Sequence, residues 1–197
     1  MKKLLLFILA LSPLFVACSE GDDSEGEYDN WQQRNEAFLA SVANDSLRGA
    51  NWQRFKKFSY DQTTEGDVTD YIYVKKIESG SEIANHPAYT DSVRVIYQGR
   101  LIPSMSYPNG YCFDSTAFGI YSPTTSSTAR MKLSGTVDGF ATALMNMRRG
   151  DYWRVYIPAE LGYGATESTS IPAYSVLIYD ITLIDFSAPG TAMKPWS

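Results

Sequence analysis

The stretch IPAELGYG at residues 157–164 decides how this sequence can fold. It completes a segment, residues 152–157, in which apolar and polar side chains alternate. The apolar side chains of one face are Trp153, Val155 and Ile157. Alternation with a period of two is typical of a β-strand with one buried face. Pro158 has no N–H donor, and the two glycines after it indicate a loop. The stretch predicts a strand that runs into a glycine-rich loop carrying Tyr163.

Further segments around this strand show the same pattern of β-branched and aromatic residues. They are residues 71–77, 92–97 and 177–186 and, more weakly, 129–133. On residues 92–97, Val93, Val95 and Tyr97 share one face of the strand. The pattern predicts an antiparallel sheet with one face packed on a core and the other toward solvent.

One segment between these strands has a helical period instead. Phe140, Leu144 and Met147 lie at positions i, i+4 and i+7, so they share one face of a helix. Asp138 is suited to cap the start of this helix, and residues 148–150 (Arg-Arg-Gly) provide a basic last turn and a glycine stop. One short helix packed against an antiparallel sheet predicts an α+β domain.

The amino terminus has the pattern of a signal peptide. Two lysines precede an apolar run at residues 4–11, which is too short to span a bilayer, because it covers ~12 Å as a helix against a ~30 Å membrane core. The run leads to Cys18, and Ala17 directly before it resembles a bacterial lipobox. We expect residues 1–17 to be removed and Cys18 to be lipidated, with membrane attachment through this anchor alone. An ordinary secretory signal is the alternative.

Acidic residues dominate the segment after Cys18. The net charge of −5 becomes −7 without Lys2 and Lys3, and six acids lie in residues 19–30, so the rest of the chain is close to neutral. We expect residues 18–30 to be a flexible acidic tether in a bacterial outer-membrane lipoprotein, facing either the periplasm or the cell surface. The absence of a basic stripe argues against nucleic-acid binding.

Residues 31–69 are predicted to form a helical extension and a linker. Trp31, Phe38 and Val42 at i, i+7 and i+11 indicate an amphipathic helix, and a second short turn is suggested by three later aromatics. These aromatics are Trp52, Phe55 and Phe58. The extension either docks on the main domain or forms a dimerisation arm. We expect that domain to cover residues 70–186 and a tail to follow at residues 187–197.

The sequence contains no motif for nucleophilic, metal or nucleotide chemistry. Its one histidine, His86, lies in a proline-containing loop, so a hydrolase reading depends on that residue alone. Metal-ligand and phosphate-loop spacings do not occur, so no metal and no cofactor is predicted. Cys112 is the one thiol left after Cys18, which excludes an internal disulfide, and we expect it to be a half-buried packing residue.

Three groups of motifs, in order and at similar spacing, resemble the FK506-binding-protein (FKBP) type of peptidyl-prolyl isomerase. They are DSVRVIYQG at residues 91–99, CFDST at 112–116, and a third group made of VDGF at 137–140, MRRG at 147–150, IPAELGYG at 157–164, IP at 171–172 and LIYD at 177–180. The resemblance covers residues 70–186. It implies a bent antiparallel sheet, a half-barrel, wrapped around one short helix with an apolar pocket between them.

The resemblance also assigns the pocket residues. By this resemblance, the pocket would be lined by Tyr97, Phe113, Asp114, Val137, Phe140, Tyr163, Ile171 and Tyr179. It implies that Phe140 is the floor, where the family most often has tryptophan, and that the Ile171 N–H and the Tyr163 hydroxyl donate hydrogen bonds to substrate carbonyls. Asp114 has a positioning role. An aromatic that the family carries on the strand before the helix is absent here, and Ala129 is the nearest residue.

The activity implied is cis-trans isomerisation of X-Pro bonds in polypeptide clients, which assists the folding of extracytoplasmic proteins. Macrolide-type ligands are implied as possible occupants of the same pocket. An apolar pocket favours a twisted amide, which is less dipolar than the planar one, and so lowers the rotation barrier without a nucleophile. The alternative is an FKBP-like binding module with little or no isomerase activity.

Overall fold

The computed structural model describes residues 26–81, 85–117 and 119–195. The predicted signal peptide, Cys18 and most of the tether lie outside the described residues. The helices are α1, Trp31–Ser46, and α2, Asp138–Leu144. The strands are β1, Trp52–Lys56; β2, Tyr71–Glu78; β3, Ser92–Arg100; β4, Cys112–Ser115; β5, Ala129–Lys132; β6, Tyr152–Ile157; and β7, Leu177–Ser187. This arrangement confirms the predicted α+β class.

The strands form one antiparallel sheet in the order β1-β2-β6-β7-β3-β4. β5 also pairs with β3, along residues 92–95, whereas β4 pairs with residues 98–100 of the same strand. Two short strands therefore share one long edge.

The inner face of the sheet packs on α2 with little space between them. Trp153, Val155 and Ile157 of β6 are buried on this face, as their alternation predicted. A Cβ atom on Gly139 would lie 2.3 Å from Ile157 Cγ2, so the glycine allows the first turn of α2 to approach β6 closely. This contact fixes where the helix begins relative to the sheet.

The expectation of a solvent-facing second face is wrong for the centre of the sheet. Ile96, Asp180 and Thr182 point to the outer face and are buried. Helix α1 covers part of this face, where Phe38 lies 6.1 Å from the ring of Tyr156. The extension docks on the domain because its apolar stripe meets aromatic side chains of β1 and β6.

Two local predictions were wrong. Residues 52–56 form the edge strand β1 rather than a helical turn, because Trp52 stacks on Tyr156 on one face and Phe55 on Trp153 on the other. Val137 occupies the N-cap position of α2, and the helix ends at Leu144. The basic residues predicted for its last turn therefore lie after the helix.

Asp138 is the first helical residue and makes no cap hydrogen bond, because its carboxylate is paired with Lys57 at 2.6 Å. Residues 26–30, which belong to the predicted tether, form a turn against the domain, where Tyr28 packs edge-on against Trp31 at 5.1 Å.

Candidate functional site

A cavity of about 380 Å³ opens between the inner face of the sheet and the segment that leads into α2. β3, β4 and β7 provide one side of it, and the turn after β5 with the start of α2 provides the other. The lining residues are Tyr97, Asp114, Met131, Gly135, Thr136, Val137, Phe140, Tyr163 and Tyr179. Six of the eight residues assigned from the sequence therefore meet at one place.

Aromatic rings form the floor and walls of the cavity. Phe140, in the first turn of α2, is only 4% exposed, and its ring lies 5.9 Å from that of Tyr97 and 5.0 Å from that of Tyr179. Both pairs are edge-to-face, a favourable arrangement for aromatic rings. The result is a rigid apolar surface at the base of the site.

Phe113 supports a wall of the cavity without lining it. Its ring meets Tyr179 edge-on at 5.5 Å, and both rings lie over Gly99 of β3. A Cβ atom on Gly99 would lie 2.6 Å from Phe113 Cε2 and 2.7 Å from Tyr179 Cε1. The final glycine of the Val-x-Tyr-x-Gly pattern thus leaves the room that these two aromatic rings occupy.

The polar groups of the cavity are few. The Tyr97 hydroxyl donates to Asp114 Oδ2 at 2.6 Å, and the Tyr97 N–H donates to Thr116 Oγ1 at 3.0 Å. Burial, followed by the hydrogen bond to Asp114, raises the pKa of Tyr97 above that of an ordinary tyrosine, so its hydroxyl keeps its proton at neutral pH. The pair holds the Asp114 carboxylate at the edge of the cavity.

The hydrogen-bond donor assigned to Ile171 is not available in this structure. The Ile171 N–H donates to Ser168 O at 3.1 Å within its own loop, and Ile171 is buried without lining the cavity. The Val137 N–H, by contrast, donates to no other residue in the described part of the chain, and Val137 lines the cavity. The sequence placed Val137 in the pocket lining and gave its N–H no role.

Three lining residues were missed in the sequence. Met131 lies two positions after Ala129 on β5, so the two share a strand face, and Met131 rather than Ala129 stands at the cavity. The period-two pattern could have identified it. Gly135 and Thr136 lie in the turn before α2, where no periodic signal exists.

The remaining candidate residues lie outside the cavity. His86 Nδ1 lies 3.1 Å from Met147 O, and Cys112 is exposed rather than half-buried, because it lies on the edge strand β4. In the described ranges, no three potential metal ligands cluster. No helix within those ranges is long and apolar enough to cross a membrane.

Comparisons with known proteins agree with this geometry. A sequence profile described as FKBP-type peptidyl-prolyl cis-trans isomerase matches residues 62–184. The chain is 28% identical over 155 residues to the FKBP-type peptidyl-prolyl cis-trans isomerase FkpA of Escherichia coli strain K12, a match that covers 78% of this chain and 51% of that protein. It is 37% identical over 105 residues to the Macrophage infectivity potentiator of Trypanosoma cruzi, which covers 53% of this chain and 47% of that protein.

The chain thus spans about half the length of the curated relatives it matches. A crystal structure of a peptidyl-prolyl cis-trans isomerase from Pseudomonas syringae pv. tomato superposes with a TM-score of 0.56 at 22% identity, over 83% of this chain and 98% of that one. This likeness shows that the two chains share a fold. Since the profile match extends over more than half of the sequence, the chain belongs to the FKBP-type peptidyl-prolyl cis-trans isomerase family.

Proposed function

We propose that this protein is a peptidyl-prolyl cis-trans isomerase that acts on X-Pro bonds of polypeptide clients in the aromatic cavity. The observation that carries the proposal is the floor of the cavity, where Phe140 lies between Tyr97 and Tyr179 with all three rings edge-on or tilted to one another. A proline ring is apolar, like the three rings that form this floor. The cavity has room for it together with the adjoining amide.

The chemistry requires no bond to the protein. Rotation about an X-Pro amide has a barrier of ~18–20 kcal/mol because the planar amide is stabilised by resonance. The twisted amide is less dipolar, so an apolar site binds it in preference to the planar form and lowers the barrier. The rings of Tyr97, Phe140 and Tyr179 provide such a site, and this rotation needs no nucleophile.

Three polar groups orient the substrate in this proposal. The Val137 N–H at the mouth of the cavity donates to a substrate carbonyl in place of the Ile171 N–H, and the Tyr163 hydroxyl, on a side chain that is 41% exposed, donates a second bond. Asp114, fixed by Tyr97, positions the peptide by its charge and does not transfer a proton. Phe113 acts through Tyr179, and the loop with Ile171 supports the rim.

The test is the cis-trans exchange of short X-Phe-Pro peptides with the purified soluble fragment from residue 26 onward. We expect Phe140→Leu to lower kcat/KM at least tenfold, because the floor loses its ring. Phe186→Leu is the matched control. Phe186 is also a buried phenylalanine, but it lies near the end of β7, whereas the cavity residue Tyr179 lies near the beginning of that strand. Macrolide-type ligands are expected to compete with the peptide.

The same assay distinguishes isomerase activity from a second candidate function, the binding of prolyl peptides alone. Phe140 gives a smaller floor than the tryptophan usual in the family, which favours a binding module with little or no activity. Binding of prolyl peptides without faster exchange would establish that module. Equal activity of Phe140→Leu and the wild type would contradict the assignment of the site.

We also propose that the mature protein begins at a lipidated Cys18 and works outside the cytoplasm, where it assists the folding of secreted or envelope proteins. Support comes from the apolar run and the Ala17-Cys18 pair. In a bacterial host, Cys18→Ala is expected to move the protein from the membrane fraction to the soluble fraction. Membrane association that persists in this variant argues against the anchor, and protease treatment of intact cells distinguishes the cell surface from the periplasm.

A further inference from the structure

Tyr179 is a buried residue whose hydroxyl the fold leaves without a hydrogen-bond partner. Tyr179 lies in β7 and is 6% exposed, yet its hydroxyl forms no hydrogen bond with any residue of the described chain. Comparable groups elsewhere are paired: the Tyr73 hydroxyl donates to Val68 O at 2.9 Å, and the Tyr121 hydroxyl lies 2.6 Å from Thr182 Oγ1. Buried polar groups without partners are uncommon because they lose their hydration.

The cavity is where this hydroxyl can find a partner. Tyr179 lines the cavity. In the described ranges, Trp153 Nε1 is the one side-chain nitrogen or oxygen that is both fully inaccessible to solvent and unpaired. The unpaired hydroxyl oxygen of Tyr179 therefore keeps some solvent access. In the empty cavity, water can therefore hydrate the Tyr179 hydroxyl. A ligand that fills the cavity displaces this water and must replace its hydrogen bond, because an unsatisfied hydroxyl costs free energy.

The surrounding side chains do not supply that replacement. Phe113 and Phe140 have no polar side-chain atoms, and the Tyr97 hydroxyl, which donates to Asp114, is not hydrogen-bonded to the Tyr179 hydroxyl. Burial, and then the nearby Tyr163, Tyr97 and Asp114, raise the pKa of Tyr179, so that its hydroxyl stays protonated and able to donate. The ligand must bring an acceptor to this wall.

We propose that the Tyr179 hydroxyl is a specificity-determining donor that binds a backbone carbonyl of the proline-containing peptide in the cavity. The inference rests on the proposed function of this cavity as a prolyl-peptide site. It assigns to the hydroxyl a role separate from that of the ring, which forms the wall. The cavity then selects a peptide that presents an acceptor toward β7 over an apolar group of the same shape, which leaves the hydroxyl unpaired.

The test is Tyr179→Phe, which removes one oxygen and keeps the ring. One net hydrogen bond corresponds to about a fivefold change in affinity. We expect KM and the Kd of an X-Phe-Pro peptide to rise about fivefold with kcat unchanged, since the bond is made in both the ground and the transition state. The melting temperature is expected to stay the same or to rise, because the hydroxyl has no partner within the chain.

Tyr73→Phe is the matched control. It also removes a buried tyrosine hydroxyl, but one that is bonded to Val68 O and lies outside the cavity. We expect this variant to melt at a lower temperature and to retain the KM and kcat of the wild type. The two variants thus give opposite results for stability and for binding, which a general effect of losing a hydroxyl cannot produce.

The outcomes separate the inference from the function on which it rests. Wild-type KM and Kd in Tyr179→Phe, or a fall in kcat with KM unchanged, would overturn the inference. If the wild type binds the peptide without isomerising it, the proposed function fails, and the change in Kd still decides the role of the hydroxyl. If the wild type does neither, both are overturned.

Discussion

Gly99 shows how a residue without a side chain shapes the cavity. It lies on β3 beneath the rings of Phe113 and Tyr179, and the space that a Cβ atom would take is filled by those rings. Rings packed in a strand interior have few alternative positions, since cores are close-packed. The position therefore controls the wall of the site even though its own atoms do not line it.

Gly99→Ala is expected to displace one or both rings. Overpacking of this kind costs ~1–3 kcal/mol of stability, and the distorted wall should also weaken the binding of prolyl peptides. Thermal unfolding and peptide titration measure the two effects. Gly66→Ala is the control, because its Cβ atom would also lie 2.6 Å from a neighbour, Asp70 Oδ2, but that contact lies in the loop before β2 and outside the cavity. Wild-type peptide affinity in Gly99→Ala would show that the wall adapts.

At the scale of single residues, the sequence predicted the aromatic part of the site better than its polar part. Tyr97, Phe140 and Tyr179 lie in strongly patterned segments, so motif order placed them correctly. Whether a backbone N–H is already hydrogen-bonded depends on the conformation of its loop. The bond from the Ile171 N–H to Ser168 O could therefore not be predicted from the sequence. The same holds for Thr136, which lies in a turn.

Helix α1 is joined to the loop before β7 by buried hydrogen bonds. Asn35 is 1% exposed; its Oδ1 accepts from the Val176 N–H at 2.8 Å and its Nδ2 donates to Trp31 O at 2.7 Å. The Trp31 Nε1–H donates to Ser175 Oγ at 2.8 Å in the same region. The helix therefore holds residues 175 and 176, directly before a strand that forms the cavity wall.

Asn35→Ala is expected to lower the free energy of unfolding by about 1–3 kcal/mol, because it leaves the buried Val176 N–H without an acceptor. Urea unfolding at neutral pH measures the change. Gln32→Ala is the control on the same helix, since the Gln32 side chain is exposed and, among the described residues, bonds only to Glu36. Equal stability of the two variants would mean that α1 is held by its apolar stripe alone.

The elements that the sequence missed are β1 and β4, two of the three short edge strands. β1 is five residues long and β4 is four, so neither contains enough alternation to be separated from a turn. β1 is a strand because it pairs with β2 over residues 71–75 and lies between aromatic rings on both faces. Such stabilisation comes from the rest of the fold, whereas the long strands β2, β3, β6 and β7 were predicted by their own patterns.

In the whole molecule, both faces of the sheet are covered at its centre. On the outer face, Asp180 of β7 is buried and paired with Arg100 of β3 at 2.5 Å and with Arg154 of β6 at 2.7 Å. This cluster links three adjacent strands directly behind the wall of the cavity. The position of Tyr179, the residue directly before Asp180 on β7, therefore depends on packing from both sides of the sheet.

The tyrosines buried on the two faces of the sheet make the folded protein less stable at high pH. Burial raises the pKa of Tyr97, Tyr121 and Tyr179 above the value of about 10 in an unfolded chain. Below pH 10 these tyrosines are protonated in both states, so their contribution to stability is complete. Above pH 10 the unfolded chain loses these protons before the folded chain does, so the free energy of unfolding falls as pH rises.

For Tyr179 alone, the limiting slope above pH 10 is about 1.4 kcal/mol per pH unit. We therefore expect Tyr179→Phe and the wild type to show the same pH dependence of urea unfolding from pH 7 to 9.5, and the variant to lose stability less steeply from pH 10 to 11. Tyr60→Phe, at an exposed position, is the control and should follow the wild type throughout. A slope in Tyr179→Phe equal to that of the wild type above pH 10 would show that the cavity hydrates this hydroxyl well enough to let it ionise in the folded protein.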